Sequence, residues 1–399
     1  MAGLFLPLEL TLSEFLELVA GGMTAATALF AGLLLLGRDH DARMRALGLA
    51  IFLLATAVSE LDELAMLGGA YVAYPHLAMV FWPVTVVIGP AILLYVRDMT
   101  AAQRRPLTPI RLVRYFWSVP AGYVIALPFY FLPADRKLAL FAGETDGLEL
   151  AAAVPLVLMA TFLVIAFVSL VIAYRALLVH TRSVRNLFAN IEDKSLSWVR
   201  VVLFVLSAAW IWGAVMVMWR FDNSLPGWQG LAATVLELGW VFAFGFFGVR
   251  QAAIYKPVEP ATPSVPTGKY HRSALDAPRM QRIAGRVAAA MEERKLYRDS
   301  TLSLRQLSDE IRVSENYISQ TLNDQMGRNF FDYVNAWRIG EACQRLAAGA
   351  RILETAHATG FNSRSTFNAA FRKHTGMTPS AWRREPEVWP DGLPRPDTA

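Results

Sequence analysis

Two short stretches of the 399-residue chain place hydrogen-bonding side chains at helical spacing. Asn316, Ser319, Gln320 and Asn323 recur at three and four residues, so on a helix they share one face, while Ile318 and Leu322 share the opposite one. Further on, Ser365, Asn368 and Arg372 align in the same way, with Arg364 at the exposed start and Phe367, Ala370 and Phe371 on an apolar side. Amides, hydroxyls and a guanidinium in such a row donate and accept hydrogen bonds to a polar surface. They do not form a nucleophile with its base. No GxGxxG, P-loop, HExxH or nucleophile elbow occurs, so a catalytic residue has no candidate. A single cysteine, Cys343, excludes an internal disulfide framework and a thiolate metal cluster. No cofactor and no metal site are expected.

A second chemistry lies in ionisable groups set within apolar sequence. Acids inside lipid are costly and usually functional. Glu237 stands 13 residues before Arg250, about 20 Å along a helix. Glu60 and Glu63 lie at a comparable depth, and His76 and Arg220 fall at the ends of their apolar stretches. One reading is a signal pocket open to the outside, formed by Glu60, Glu63, His76, Arg220 and Glu237. The other is ordinary interface residues at 60 to 63 and a structural hydrogen-bonder at Glu237.

The elements carrying these groups differ in solvent. Hydrophobic residues make up 55% of the chain and charged residues 18%, against about 25% charged in an ordinary soluble domain. Seven stretches approach the roughly 20 apolar residues that a bilayer core of about 30 Å requires: 18–37, 46–67, 77–96, 115–134, 150–174, 201–219 and 228–249. Residues 150–174 lack the polar stripe that a soluble bundle helix needs. The connections after the first, third and fifth stretches hold 13 Arg and Lys, against three (Arg136, Lys137 and Arg220) on the other side. The excess of basic residues marks the cytoplasmic side, which puts the N-terminus outside and Arg250 inside. No cleavable signal peptide is expected, since residues 1–13 hold no Lys or Arg.

From Tyr255 to Tyr270 prolines recur at 257, 260, 263 and 266. Proline at that density forbids helix and favours an extended spacer; it also has the PxxP form of a docking segment. Beyond it the chain turns basic, with 18 Lys and Arg against 11 Asp and Glu between His271 and Arg384, a net +7. Helical patterns run from Met280 to Lys295, from a capping box of Ser303 and Gln306 through Leu304, Leu307 and Ile311, and after a turn into a helix capped by Ser314. A helix over Asn329–Ala348 follows, about 30 Å long. The arrangement then repeats: a short helix from Ile352, a turn at Gly360, a helix capped by Ser363 and a last helix opened by Pro379. A short helix, a tight turn and a second helix with one apolar and one polar face make a helix-turn-helix. Phe361, Phe367, Phe371, Met377 and Trp382 are assigned to the core.

The run IxxxAxxxGFxSxSxFxxxFRKxxGxTPxxWR from Ile352 to Arg383, with LSLRQLSDEIRVSENYIS and FFDYVNAWRIGEA before it, resembles the C-terminal domain of the AraC/XylS family of bacterial transcription regulators over residues 278–385. The resemblance implies a sequence-specific regulator whose two second helices enter adjacent major grooves of double-stranded DNA. It assigns base reading to Asn316, Ser319 and Gln320 in the first unit and to Arg364, Ser365 and Asn368 in the second. Arg372, Lys373 and Arg383 fall to backbone phosphates, which position without reading sequence.

The expected fold is thus all-α. A seven-helix transmembrane bundle (1–250) is followed by a Pro-rich linker (251–277), a two-unit helix-turn-helix DNA-binding domain (278–385) and a disordered tail (386–399). The expected function is a regulator anchored in the bacterial cytoplasmic membrane, sensing a ligand, lipid or membrane partner. Membrane lipid, RNA polymerase and a second copy of the chain are its other expected partners. A transporter or membrane enzyme with a DNA-binding appendage, and a scaffold whose helix-turn-helix units bind protein, remain the alternatives.

Overall fold

The computed structural model describes residues 11–101, 108–191, 196–220, 228–254, 276–384, 389–390 and 392–395. It is all-helical; the described residues form no named strand, and one isolated antiparallel bridge joins Phe188 to Ser303. The chain divides into two compact units, one of residues 1–178 with 197–259, the other of residues 179–196 with 260–399.

The first unit contains α1 (Leu12–Leu36), α2 (His40–Leu67), the single turn α3 (Ala70–Ala73), α4 (Ile88–Thr100), α5 (Pro109–Phe116), α6 (Ser118–Tyr130), α7 (Ala134–Phe141), most of α8 (Glu149–Leu187), α9 (Ser197–Arg220) and α10 (Trp228–Ile254). Among the described residues, six helical segments are long and apolar enough to cross a membrane: Leu12–Leu36, His40–Leu67, Pro75–Thr100, and stretches within α8, α9 and α10. The expected stretch 115–134 is instead divided among α5, α6 and the start of α7; its apolar helix, α6, has 13 residues and holds Pro128 inside. A proline removes one backbone donor and crowds the preceding turn, which limits how far such a helix extends. The expected count of seven long spans therefore stands at six, plus this shorter apolar helix.

Small residues let these helices approach closely. A Cβ on Gly48 of α2 would stand 2.4 Å from the backbone nitrogen of Tyr95 in α4. Near this close approach Leu49, Phe52 and Leu53 are fully buried, and Phe52 meets Phe244 of α10 with ring centroids 5.0 Å apart.

The second unit holds α11 (Ala277–Glu292), α12 (Leu304–Ile311), α13 (Glu315–Met326), α14 (Phe330–Ala347), α15 (Ile352–Ala358), α16 (Arg364–Thr375) and α17 (Pro379–Arg384). α11 starts earlier than expected because Pro278 occupies its first turn, and it ends before Lys295, whose φ of 50° breaks the helix. The expected capping box is present: Ser303 Oγ accepts from Gln306 N at 3.3 Å and Gln306 Oε1 from Ser303 N at 2.7 Å. Ser363 Oγ caps α16 through Thr366 N at 3.2 Å. Ser314 occupies the N-cap position of α13 without a side-chain cap bond. Gly360 makes the turn between α15 and α16 at φ 90°, where a Cβ would stand 2.7 and 2.8 Å from the carbonyl oxygens of Arg298 and Tyr297.

Two cores form here. One gathers Val287, Leu304, Leu307, Ile318 and Leu322 with Phe330, Val334 and Trp337 of α14; the other gathers Phe361, Phe367, Phe371 and Trp382 with Ile339, Ala342 and Leu346 of the same helix. All five residues expected in the core belong to the second cluster, Met377 at its edge.

At three places the chain groups differently from the expected boundaries. Residues 179–196, expected with the transmembrane part, group with the second unit, and Ala189 joins its first core. α10 continues to Ile254, and most of the expected linker, 255–275, lies outside the described residues. In the expected tail, Leu393 is buried against the second core and its carbonyl accepts from Trp389 Nε1 at 3.0 Å, so this part is packed; 385–388, 391 and 396–399 lie outside the described residues.

Candidate nucleic-acid interface

The second helices of the two units, α13 and α16, are held against α14 by their apolar sides. Ile318 and Leu322 bury one side of α13, which leaves Asn316 exposed and Ser319 and Gln320 half-buried at its rim. Asn323 is tied back, its amide donating to Ser319 O at 2.9 Å. In α16, Phe367, Ala370 and Phe371 face the core, Arg364 and Ser365 are exposed at the first turn and Asn368 is half-buried below them. A first-turn arginine sits where the helix ends in free N–H groups, so guanidinium and backbone donors point the same way. α14 spans 18 residues, about 27 Å, slightly shorter than expected but still near the separation of adjacent grooves.

The three expected phosphate residues are not equivalent. Arg372 and Arg383 are exposed. Lys373 Nζ donates to Asp332 Oδ1 at 2.5 Å, so its charge is partly used in fixing α16 to the start of α14.

A further basic surface escaped sequence reading. Arg279, Arg282 and Arg286 of α11 line one groove with Arg312, Val313, Ser314 and Tyr317 from the turn and the start of α13. Arg279 lies over the Tyr317 ring at 4.7 Å, and Arg286 donates to the carbonyl of Ile311. The i, i+3, i+7 spacing of the α11 arginines was legible; that it meets Arg312 depends on how α11 packs on α13. Tyr317 joins this groove to the rim of the Asn316 and Gln320 face.

Below the readers, Glu341 of α14 is buried and accepts from Arg298 Nη2 at 2.6 Å, Arg298 Nε at 2.9 Å and Arg345 Nε at 2.7 Å. Burial alone would raise its pKa, and the bonds from Arg298 and Arg345 outweigh that and hold it below the usual carboxylate value. Arg338, 1% exposed, donates to three backbone carbonyls, those of Tyr297 (2.7 Å), Asp299 (2.8 Å) and Ala189 (3.2 Å). Its burial lowers its pKa to about 10, which leaves it charged at neutral pH. Burial raises the Cys343 thiol to about 12, so it is no nucleophile.

In the first unit, the carboxyls of Glu60 of α2 and Glu237 of α10 are neighbours, with Glu63 close enough to act on both and Glu17 of α1 on Glu63. Asp62 is bound by Tyr71 Oη. His76 has a different partner, Lys137 Nζ at 3.3 Å from its Nδ1. The Arg220 side chain lies outside the described residues. Sequence reasoning missed Glu17 and Lys137, which reach these acids and His76 only through helix packing.

Residues 307–385 match a family model described as "Helix-turn-helix domain". Similar proteins include an AraC-like transcription regulator of Streptomyces lividans, 31% identical over 96 residues (23% of this chain and 32% of that protein). Another is the transcriptional regulatory protein HptR of Staphylococcus aureus, 33% identical over 79 residues (20% of this chain and 31% of that protein). Among solved structures, the C-terminal domain of AraT, a response regulator from Geobacillus stearothermophilus, aligns at 24% identity and a TM-score of 0.24, covering 29% of this chain and 92% of that one. The chain spans about a third of the length of the curated relatives it matches. Its C-terminal part is a helix-turn-helix domain. Over this part the chain resembles AraC-like regulators, and it sets two helix-turn-helix units on one connecting helix.

Proposed function

We propose that the protein is a membrane-anchored, sequence-specific DNA-binding transcription regulator, with the first unit in the bacterial cytoplasmic membrane and the second in the cytoplasm. The observation that carries this reading is the pairing of two polar helix faces, Asn316, Ser319 and Gln320 on α13 and Arg364, Ser365 and Asn368 on α16, on one α14, in a chain whose described residues include six helical segments long and apolar enough for a bilayer. Amides suit adenine and arginine suits guanine in the major groove. Arg372, Arg383 and the groove of Arg279, Arg282, Arg286 and Arg312 bear on backbone phosphates, with Lys373 contributing less because of Asp332. The neighbouring carboxyls of Glu60 and Glu237, with Glu63, are the centre of the signal pocket. His76 and Arg220 are assigned to its outer rim. RNA polymerase, and a second copy through the membrane part, are the partners proposed for its output.

The test is recovery of genomic DNA bound by the full chain in its own membrane. A discrete set of sites sharing a two-part sequence motif supports the reading, and binding without sequence preference refutes it.

A further inference from the structure

α8 has 39 residues, about 58 Å of helix, against a bilayer core of about 30 Å. It overruns the expected span, which ends at Tyr174, and its turns from Val179 onward group with the helix-turn-helix domain. Immediately past its end, the chain is stitched into that domain. Ala189 N donates to Leu302 O at 3.0 Å, and Phe188 forms the antiparallel bridge with Ser303. The Ala189 carbonyl takes one of the three hydrogen bonds of the buried Arg338 guanidinium. Ala189 itself is 1% exposed within the first core, and Arg185 of α8 lies 5.9 Å from the Phe331 ring.

We propose that residues 187–190 form a docking strand through which α8 holds and adjusts the first helix-turn-helix unit, independently of the Pro-rich linker. The partner of this surface is the chain's own segment between α8 and α9. A buried guanidinium needs its acceptors in place, since an unsatisfied buried charge is costly. Withdrawal of the strand takes one acceptor from Arg338 and uncovers the edge at Leu302 and Ser303. Ser303 is the N-cap of α12, so the strand bears on the helix that supports reader α13. The second core, around Phe361, Phe367 and Phe371, includes no residue of 179–196. A displacement of α8 therefore acts first on the first reader, and reaches the second core only through Arg338, which lies 5.4 Å from the Phe361 ring.

The proposal rests on the membrane reading above, and the experiment tests the two separately. The full chain, carrying a specific protease site within residues 258–266, is prepared in membrane vesicles. Pelleting of the uncut chain tests anchoring alone. After cleavage and a high-salt wash that removes electrostatic adsorption, the wild-type C-terminal fragment is expected to stay with the vesicles. An Ala189→Glu variant should release about tenfold more of it. In the uncut chain, Phe188→Cys with Ser303→Cys should cross-link on oxidation, and Ala189→Glu should speed amide exchange in α12 and α13 well beyond any change in α15 and α16. Equal release from wild type and Ala189→Glu, absence of the cross-link, or exchange raised alike in both halves each overturns the proposal.

Discussion

The Arg298 guanidinium meets the Glu341 carboxylate through two parallel hydrogen bonds, Nε to Oε2 at 2.9 Å and Nη2 to Oε1 at 2.6 Å. The carboxylate side chain is 1% exposed, whereas Arg298 and Arg345 keep 36% and 35% of theirs in solvent. Removing one partner of a buried pair costs about 3 to 5 kcal/mol. Because both arginines can be rehydrated, Glu341→Gln should cost near the lower end, read as faster amide exchange along α14. The folded carboxyl titrates below its ordinary value of 4.5, so its contribution is complete above that pH and is lost as pH falls through the folded value. Exchange should accelerate in that acid window in the wild type, and the glutamine variant should lack this component. A variant indistinguishable from wild type would show the pair to be ornamental.

Gly360→Ala should disrupt the second unit more than any neighbouring surface change. Its φ of 90° is unfavourable for alanine, and the added carbon would stand 2.7 Å from the carbonyl of Arg298. A loss of at least about 2 kcal/mol is expected, visible as a lowered melting temperature. Gly349→Ala serves as the comparison, since it has a similar φ of 89° but meets nothing within 4 Å.

The polar faces and the arginine groove predict different DNA defects. Arg364→Ala should cost about 1 to 3 kcal/mol and relax preference at one position of one half-site. Arg282→Gln with Arg312→Gln should weaken binding to all sequences alike and flatten the salt dependence by about 0.9 log unit for each phosphate no longer neutralised. Competition binding across a salt series separates the two. Disappearance of sequence preference in the groove variant would reassign that groove to base reading.

Gly48→Ala should prevent correct packing of the first unit, because the new carbon would lie 2.4 Å from Tyr95 N and 2.6 Å from Ala91 O. Neither backbone atom can give way without separating α2 from α4, at about 3 kcal/mol or more. Gly22→Ala, which meets nothing within 4 Å, should be tolerated. Monodispersity after extraction and thermal unfolding in detergent report the difference.

On the proposed membrane reading, α6 decides the side of the bilayer on which Leu12 lies. If its 13 residues complete a crossing together with the turns beside them, seven crossings put a tag before Leu12 outside; if they do not, six put it inside. The distribution of basic residues favours the outside. A membrane-impermeant label on a cysteine placed near Leu12, with one in 276–280 as the cytoplasmic reference, distinguishes the outcomes.

The second unit was largely legible because its signals are local. The Ser303 and Gln306 box, the Ser363 cap, the Gly360 turn and the three-and-four spacing of Phe367 and Phe371 all lie within a few residues of what they specify. Features that depend on long-range packing carried no such mark. The strand at Ala189 reaches Arg338 across 149 residues through a hydrogen bond that no repeating pattern announces. The meeting of Arg282 with Arg312, and of Lys137 with His76, likewise arises only when separate helices are brought together. In the first unit, apolar length found the long helices but could not foresee the division at α6, since hydropathy does not register a break at Phe116 and Ser118.

α14 belongs to both cores at once, lending Phe330, Val334 and Trp337 to one and Ile339, Ala342 and Leu346 to the other. A wall shared in this way cannot bend without opening two interiors, so α14 sets one spacing between the two units even where the strand at Ala189 loosens the first. Operators whose halves are pushed apart by about five base pairs, half a duplex turn, would present the second half on the wrong side of the double helix.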